Sequence, residues 1–129
     1  MTTETRTGAV TTRLRTDGDV AILDVEGRLM GDPGTRAIQD EVKELLKQGR
    51  KKILLNLEKV PWVNSVSITV LVAALASARR EGACLEICCL SKRVDLIMRT
   101  AVLIPDVFAG FSTERQALDG FHQDSRGTR

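Results

Sequence analysis

Aromatic residues make up only 3% of this 129-residue chain: there is no Tyr, one Trp and three Phe. Base-stacking platforms for single-stranded nucleic acid are hard to build from so few rings. Charge of one sign is also missing. Nineteen basic and 17 acidic residues leave a formal charge of +2, scattered along the sequence, and this argues against a strong field for nucleic acid or membrane. No apolar run approaches the roughly 18 residues of a membrane span, and the N-terminus lacks a basic segment followed by an apolar one, so the chain is expected to be cytoplasmic. Cysteine and histidine are scarce. Cys84, Cys88 and Cys89 with the single His122 make an incomplete ligand set, and three cysteines in a leaderless chain read as small buried hydrophobes kept reduced, with neither metal nor disulfide. No Gly-rich phosphate loop, Walker lysine or Cys-His pairing stands out, and Ser65 has no evident base. The expectation is therefore no enzyme and no cofactor.

What is present is a 43% hydrophobic content arranged as short alternating elements, enough for one compact domain. Residues 1–10 and 122–129 are polar and aperiodic, and are expected to be flexible tails around a domain spanning 11–121. Thr11 to Arg15 and Val20 to Glu26 flank Thr16-Asp17-Gly18-Asp19, a hairpin-turn sequence. In the second of these strands Ala21, Leu23 and Val25 point one way. Val20, Ile22, Asp24 and Glu26 point the other, onto a face expected to be partly covered. Asp32-Pro33 reads as an N-cap and first helical residue before the apolar stripe Ile38, Val42, Leu45 and Leu46, with Gly49 closing the helix. The run Arg50-Lys51-Lys52 is best explained by the dipole of that helix end.

Lys52-Ile53-Leu54-Leu55-Asn56-Leu57 suits a strand covered on both faces. It leads through Val60-Pro61-Trp62-Val63 into Asn64, an N-cap for a helix carrying Ile68, Leu71, Val72 and Leu75 and running to Arg80. Gly82, the strand Cys84 to Leu90, a helix after Ser91 with Val94, Ile97, Met98 and Ala101 that Pro105 stops, and a last helix with Thr113 and Gln116 at capping-box spacing complete the chain. Helices between consecutive strands imply parallel pairing by right-handed crossovers. The expected fold is α/β: a mixed, mainly parallel sheet with an N-terminal antiparallel hairpin and about four helices.

The turn Asn64-Ser65-Val66-Ser67-Ile68, together with Leu23-Asp24-Val25-Glu26-Gly27-Arg28-Leu29, the strand ending Asn56-Leu57 and the Val94-Leu96-Ile97 segment, resembles the STAS domain of sulfate transporters and anti-sigma factor antagonists. The family's turn reads Asp-Ser-Ser/Thr-Gly-Leu, and its second hydroxyl is the phosphoacceptor of bacterial anti-sigma factor antagonists. Val66 takes that place here, Asn64 replaces the Asp and Ser67 the Gly. The resemblance implies a regulator that acts by protein binding: an anti-sigma factor antagonist whose partner is an anti-sigma factor with a serine-kinase fold, and thus regulation of sigma-factor-dependent transcription. The alternative is a structural or adaptor STAS subunit of a transporter ATPase complex or a signalling assembly, without a phosphorylation switch and with the ATPase or other STAS proteins as its partner. It further implies a partner surface formed by Met30, Asp32, Gly34 and Thr35 from one loop and Trp62, Asn64, Ser65, Val66 and Ser67 from the other. If a phosphorylation switch survives, Ser65 is the candidate acceptor, since added negative charge is tolerated in a first helical turn. A lone Trp beside such a loop is either core or an exposed anchor, and the sequence leaves both open.

Overall fold

The structure is a computed structural model that describes residues 3–101, 103–104 and 107–124. Its element order is β1 (Thr3–Thr7), β2 (Val10–Asp17), β3 (Val20–Glu26), α1 (Gly34–Lys47), β4 (Lys52–Lys59), α2 (Ser65–Arg80), β5 (Cys84–Cys88), α3 (Lys92–Thr100) and α4 (Glu114–Asp124). The five strands form one sheet in sequence order. β1 with β2 and β2 with β3 are antiparallel, while β3 with β4 and β4 with β5 are parallel, as two helical crossovers require. The hairpin turn between β2 and β3 is Gly18-Asp19, with Gly18 at φ +61°.

One face carries the larger core. Ala21, Leu23, Val25, Ile53, Leu55, Leu57, Leu85 and Ile87 pack there against Ile38, Val42 and Leu45 of α1, Leu71, Ala74, Leu75 and Ala78 of α2, and Val94 and Met98 of α3. The other face places Val20, Ile22, Leu54 and Cys88 under Ala117, Leu118 and Phe121 of α4. The alternation of β3 therefore sends its two sets of residues into two cores. Asp24 lies at the polar end of the second face and Glu26 is exposed.

Several expectations are corrected. The segment read as an N-terminal tail contains β1, whose polar, Thr-rich sequence has no apolar alternation because it pairs along β2 instead of covering a core. His122 belongs to α4, which continues to Asp124 because Phe121 anchors its last turn in the second core. Asp32 does not cap α1. Pro33 precedes the first helical residue, Gly34, and Asp32 instead pairs with Arg36 one turn on, at 3.1 Å. The peptide bond Asp32-Pro33 is cis. β5 stops at Cys88, since Cys89 turns to φ +64° and its amide bonds the carbonyl of Phe111 at 3.0 Å. Cys84 is exposed, and only Cys88 is fully buried among the three. Pro105 lies outside the described residues. The remaining caps hold: Asn64, Ser91 and Thr113 each accept from the amide three residues on.

Candidate functional site

Two turns that follow parallel strands meet at one end of the sheet. Leu29 after β3 and Val63 after β4 form an isolated parallel bridge, with Leu29 N donating to Trp62 O at 2.9 Å and Asn64 N donating to Leu29 O at 3.1 Å. Asn64 then performs two tasks with one side chain. Its Oδ1 accepts from Ser67 N at 2.8 Å, which caps α2, and its Nδ2 donates to Met30 O at 3.0 Å, which holds the neighbouring loop. A second tie lies beneath. Thr35 Oγ1 accepts from Gly31 N at 3.1 Å and shares a hydrogen bond with Ser67 Oγ at 2.8 Å, both hydroxyls being fully buried. With every buried side-chain polar atom among the described residues satisfied, the two loops are fixed relative to each other.

The nine residues expected at a partner surface are thus brought together but divide by burial. Gly34, Thr35 and Ser67 lie inside and shape the surface from beneath. A Cβ on Gly34 would stand 2.4 Å from Val10 Cγ2, so this glycine is required by close packing against β2. Gly31, at φ +106°, lets the loop run beside Val66, whose Cγ1 would be 3.6 Å from a Cβ there. Met30 and Val66, one from each of the two tied loops, project outward at 53% and 57% exposure. Ser65 and Asp32 are exposed, and Asn64 is half-buried. Trp62 is also half-buried, with the Arg93 guanidinium 5.7 Å over its ring. This contact extends the surface onto α3, where Leu96, one turn along, is 66% exposed. Sequence reasoning missed Arg93 and Leu96, and the signal for Leu96 was its place outside the Val94–Met98 stripe.

The opposite face holds a charge cluster that sequence reasoning also missed, although Asp24 was placed on that face. Arg15 donates through Nε to Asp24 at 2.6 Å and through Nη1 to Glu114 at 3.0 Å, and its Nη2 bonds both carboxylates, reaching Asp24 at 2.9 Å. Asn56 Nδ2 adds a bond to Glu114 at 3.1 Å. Hydrogen bonds to Asp24 and Glu114 raise the Arg15 pKa, and the bond from Arg15 holds Glu114 below the usual glutamate value. Beside this cluster a groove of about 820 Å³ is lined by mixed charge, including Arg13, Glu26, Glu58 and Lys59. Five acids against three bases line it, and one of those bases, Arg15, is already shared by Asp24 and Glu114.

Cys88 and Cys89 place their sulfurs 3.3 Å apart, while Cys84 sits at the far end of β5, roughly 13 Å along the strand. Burial pushes the Cys88 thiol up, toward an inert form. Among the described residues no three His, Cys, Asp or Glu side chains gather as a metal site, and no helix is long and apolar enough to cross a membrane.

The sequence model of the STAS domain matches residues 11–117. The chain belongs to the STAS domain family. Solved structures superpose well at low identity. An anti-sigma factor antagonist from Mycobacterium paratuberculosis is 18% identical with a TM-score of 0.74, over 86% of this chain and 92% of that one. TM1081 from Thermotoga maritima is 23% identical with a TM-score of 0.72, over 83% and 91%. The Bacillus cell fate determinant SpoIIAA in its phosphorylated form is 15% identical with a TM-score of 0.65, over 85% and 98%. Identities this low establish a shared fold. No curated protein sequence matches the chain.

Proposed function

We propose that this STAS domain is a cytoplasmic, non-catalytic regulator that binds a protein through the Met30 and Val66 surface, in the manner of an anti-sigma factor antagonist meeting an anti-sigma factor of serine-kinase fold. The observation that carries the reading is the exposed Met30 and Val66 pair, held in place by the buried Thr35 and Ser67 hydroxyls. Exposed apolar side chains gain from leaving water when a partner covers them, and the backbone that carries these two is already ordered before binding. Ser65, Asp32 and Trp62 flank the pair.

Binding is constitutive in this reading. Val66 stands where the family motif has its phosphoacceptor, and it is exposed, so a side chain that cannot be phosphorylated faces the partner. The same observation favours a second reading, an adaptor STAS subunit of a transporter ATPase or signalling assembly that has no phosphorylation switch.

The test begins with mass spectrometry of proteins co-purified from the native host, followed by affinity measurements on the partner found. Met30→Asp and Val66→Asp are each expected to weaken capture at least about thirty-fold with an unchanged circular dichroism spectrum. Undiminished capture by both variants sinks the surface assignment. With a kinase partner and ATP, the wild type is expected to stay unmodified and Val66→Ser to gain phosphate. Stoichiometric phosphorylation of Ser65 that releases the partner would defeat the constitutive reading. A partner ATPase without kinase activity would select the adaptor.

A further inference from the structure

The two edges of the sheet are treated differently. β5 is covered at its C-terminal end: Phe111 bridges Cys88, Phe111 N donates to Ile87 O at 3.2 Å, and Cys89 N donates to Phe111 O. Glu86 accepts from Ala109 N on the same edge at 3.1 Å. Among the described residues β1 has only one pairing partner, β2, and no other described strand covers its outer edge. An open edge presents unpaired amides and carbonyls, and proteins usually blunt it with Lys, Pro or a bulge. β1 has no Lys, Pro or bulge, and the charges it does carry, Glu4 and Arg6, are of opposite sign. Its five residues pair with β2 in unbroken register, three of them are Thr, a residue of high strand propensity, and the strand precedes residue 11, where the family match begins.

The charges on this edge are symmetric. In Thr3-Glu4-Thr5-Arg6-Thr7, a two-fold axis through Thr5 would set Glu4 of one chain opposite Arg6 of another, and Arg6 opposite Glu4, in antiparallel pairing. Both side chains are exposed and neither has an ion-pair partner among the described residues. A parallel pairing would instead put like charges together. We propose that β1 is a self-pairing edge, and that two copies of this chain associate through it into a continuous ten-stranded sheet.

Five residues a side bury less than the roughly 1,000 Å² that stable interfaces clear, so the dimer is weak and concentration-dependent. The Met30 and Val66 surface lies beyond the C-terminal ends of β3 and β4 and stays free in both copies. The dimer is thus bivalent, and its existence is independent of what that surface binds.

Sedimentation equilibrium from about 10 µM to 1 mM tests the proposal on the full chain. The wild type is expected to shift from monomer toward dimer, and less so at high salt. Glu4→Arg and Arg6→Glu each replace two opposite-charge pairs with two like-charge pairs, and each is expected to weaken self-association about ten-fold. The combined Glu4→Arg/Arg6→Glu variant restores complementarity and is expected to recover wild-type affinity. A mixture of the two single variants also recovers it, because one strand is then doubly basic and the other doubly acidic. These two recoveries keep a folding defect from imitating the effect. A wild type that stays monomeric to 1 mM, or single variants that dimerise as well as the wild type, would overturn the proposal.

Discussion

The sheet face under α1, α2 and α3 buries an unbroken apolar layer from Leu23 through Leu55 to Ile87, whereas the opposite face offers α4 only Val20, Ile22, Leu54 and Cys88 before turning polar at Arg15, Asp24 and Asn56. The difference separates two sources of stability, one insensitive to pH and salt and one sensitive to both. The first face gains from area removed from water, which changes little with ionic conditions. The second depends on Arg15 being surrounded by carboxylates, and that arrangement changes with protonation.

Adjacent residues of β4 sample the two faces, which makes them the sharpest probe. Leu54 and Leu55 are both fully buried, on opposite sides. Leu55→Ala opens a hole between three helices and the sheet, and is expected to cost about 4 kcal/mol. Leu54→Ala sits under α4 alone, where one helix can settle into the space, and is expected to cost about 2.5 kcal/mol. Urea denaturation measures both. Equal costs would mean that α4 is held as rigidly as the three-helix layer.

Breaking the charge cluster should have a smaller effect with a different signature. Arg15→Ala leaves Asp24 and Glu114 without the cation between them and is expected to cost roughly 2 kcal/mol near neutral pH. Glu114→Gln separates the titration from the packing. Because Arg15 holds Glu114 below the ordinary glutamate value, the stability it contributes is fully present above that ordinary value. It is lost as the pH falls through the lowered folded value. The gap between wild type and Glu114→Gln is therefore expected to close as solutions are acidified below about pH 4.5. Glu41 and Glu86 act in the opposite sense: burial raises both, so their effect on stability improves on protonation. A gap that widened toward acid would assign the cluster no linkage of this kind.

The large face was legible in the sequence because its strands and helices carry simple periodicities. Ile38, Val42 and Leu45 repeat at helical spacing, and Asn64 is an oxygen-bearing residue just before an apolar helix. The short polar strand β1 was not legible, since its pairing partner supplies the order and its own residues carry no apolar pattern. Arg15 and Asp24 are neighbours across one hairpin, but Glu114 is 99 residues from Arg15, and only the position of α4 brings it to them. At the candidate site the motif located both turns, but it could not say which hydroxyl faces inward. Ser65 and Ser67 look equivalent by type; helical rotation exposes one and buries the other.

That inward hydroxyl gives the finest test, because it links the deep face to the two loops that carry Met30 and Val66. Thr35 Oγ1 and Ser67 Oγ share one hydrogen bond, and Thr35 Oγ1 also accepts from Gly31 N. Ser67→Ala leaves one hydroxyl short of a partner, whereas Thr35→Val leaves both the Gly31 amide and the Ser67 hydroxyl unpaired at nearly constant volume. The expected costs are about 1 and 2 kcal/mol. In the double variant the Ser67 hydroxyl is gone and only the Gly31 amide remains unpaired, so its total cost should be about 1 kcal/mol, below the sum by about 2 kcal/mol. If the two effects simply add, the hydroxyls do not communicate. The coupling should also reach the surface: amide hydrogen exchange at Met30 and Gly31 is expected to speed up in Thr35→Val more than in Ser67→Ala, since only the former releases the Gly31 amide. Equal exchange in the two variants would show that Asn64, through its bond to the Met30 carbonyl, holds the loop without help from below.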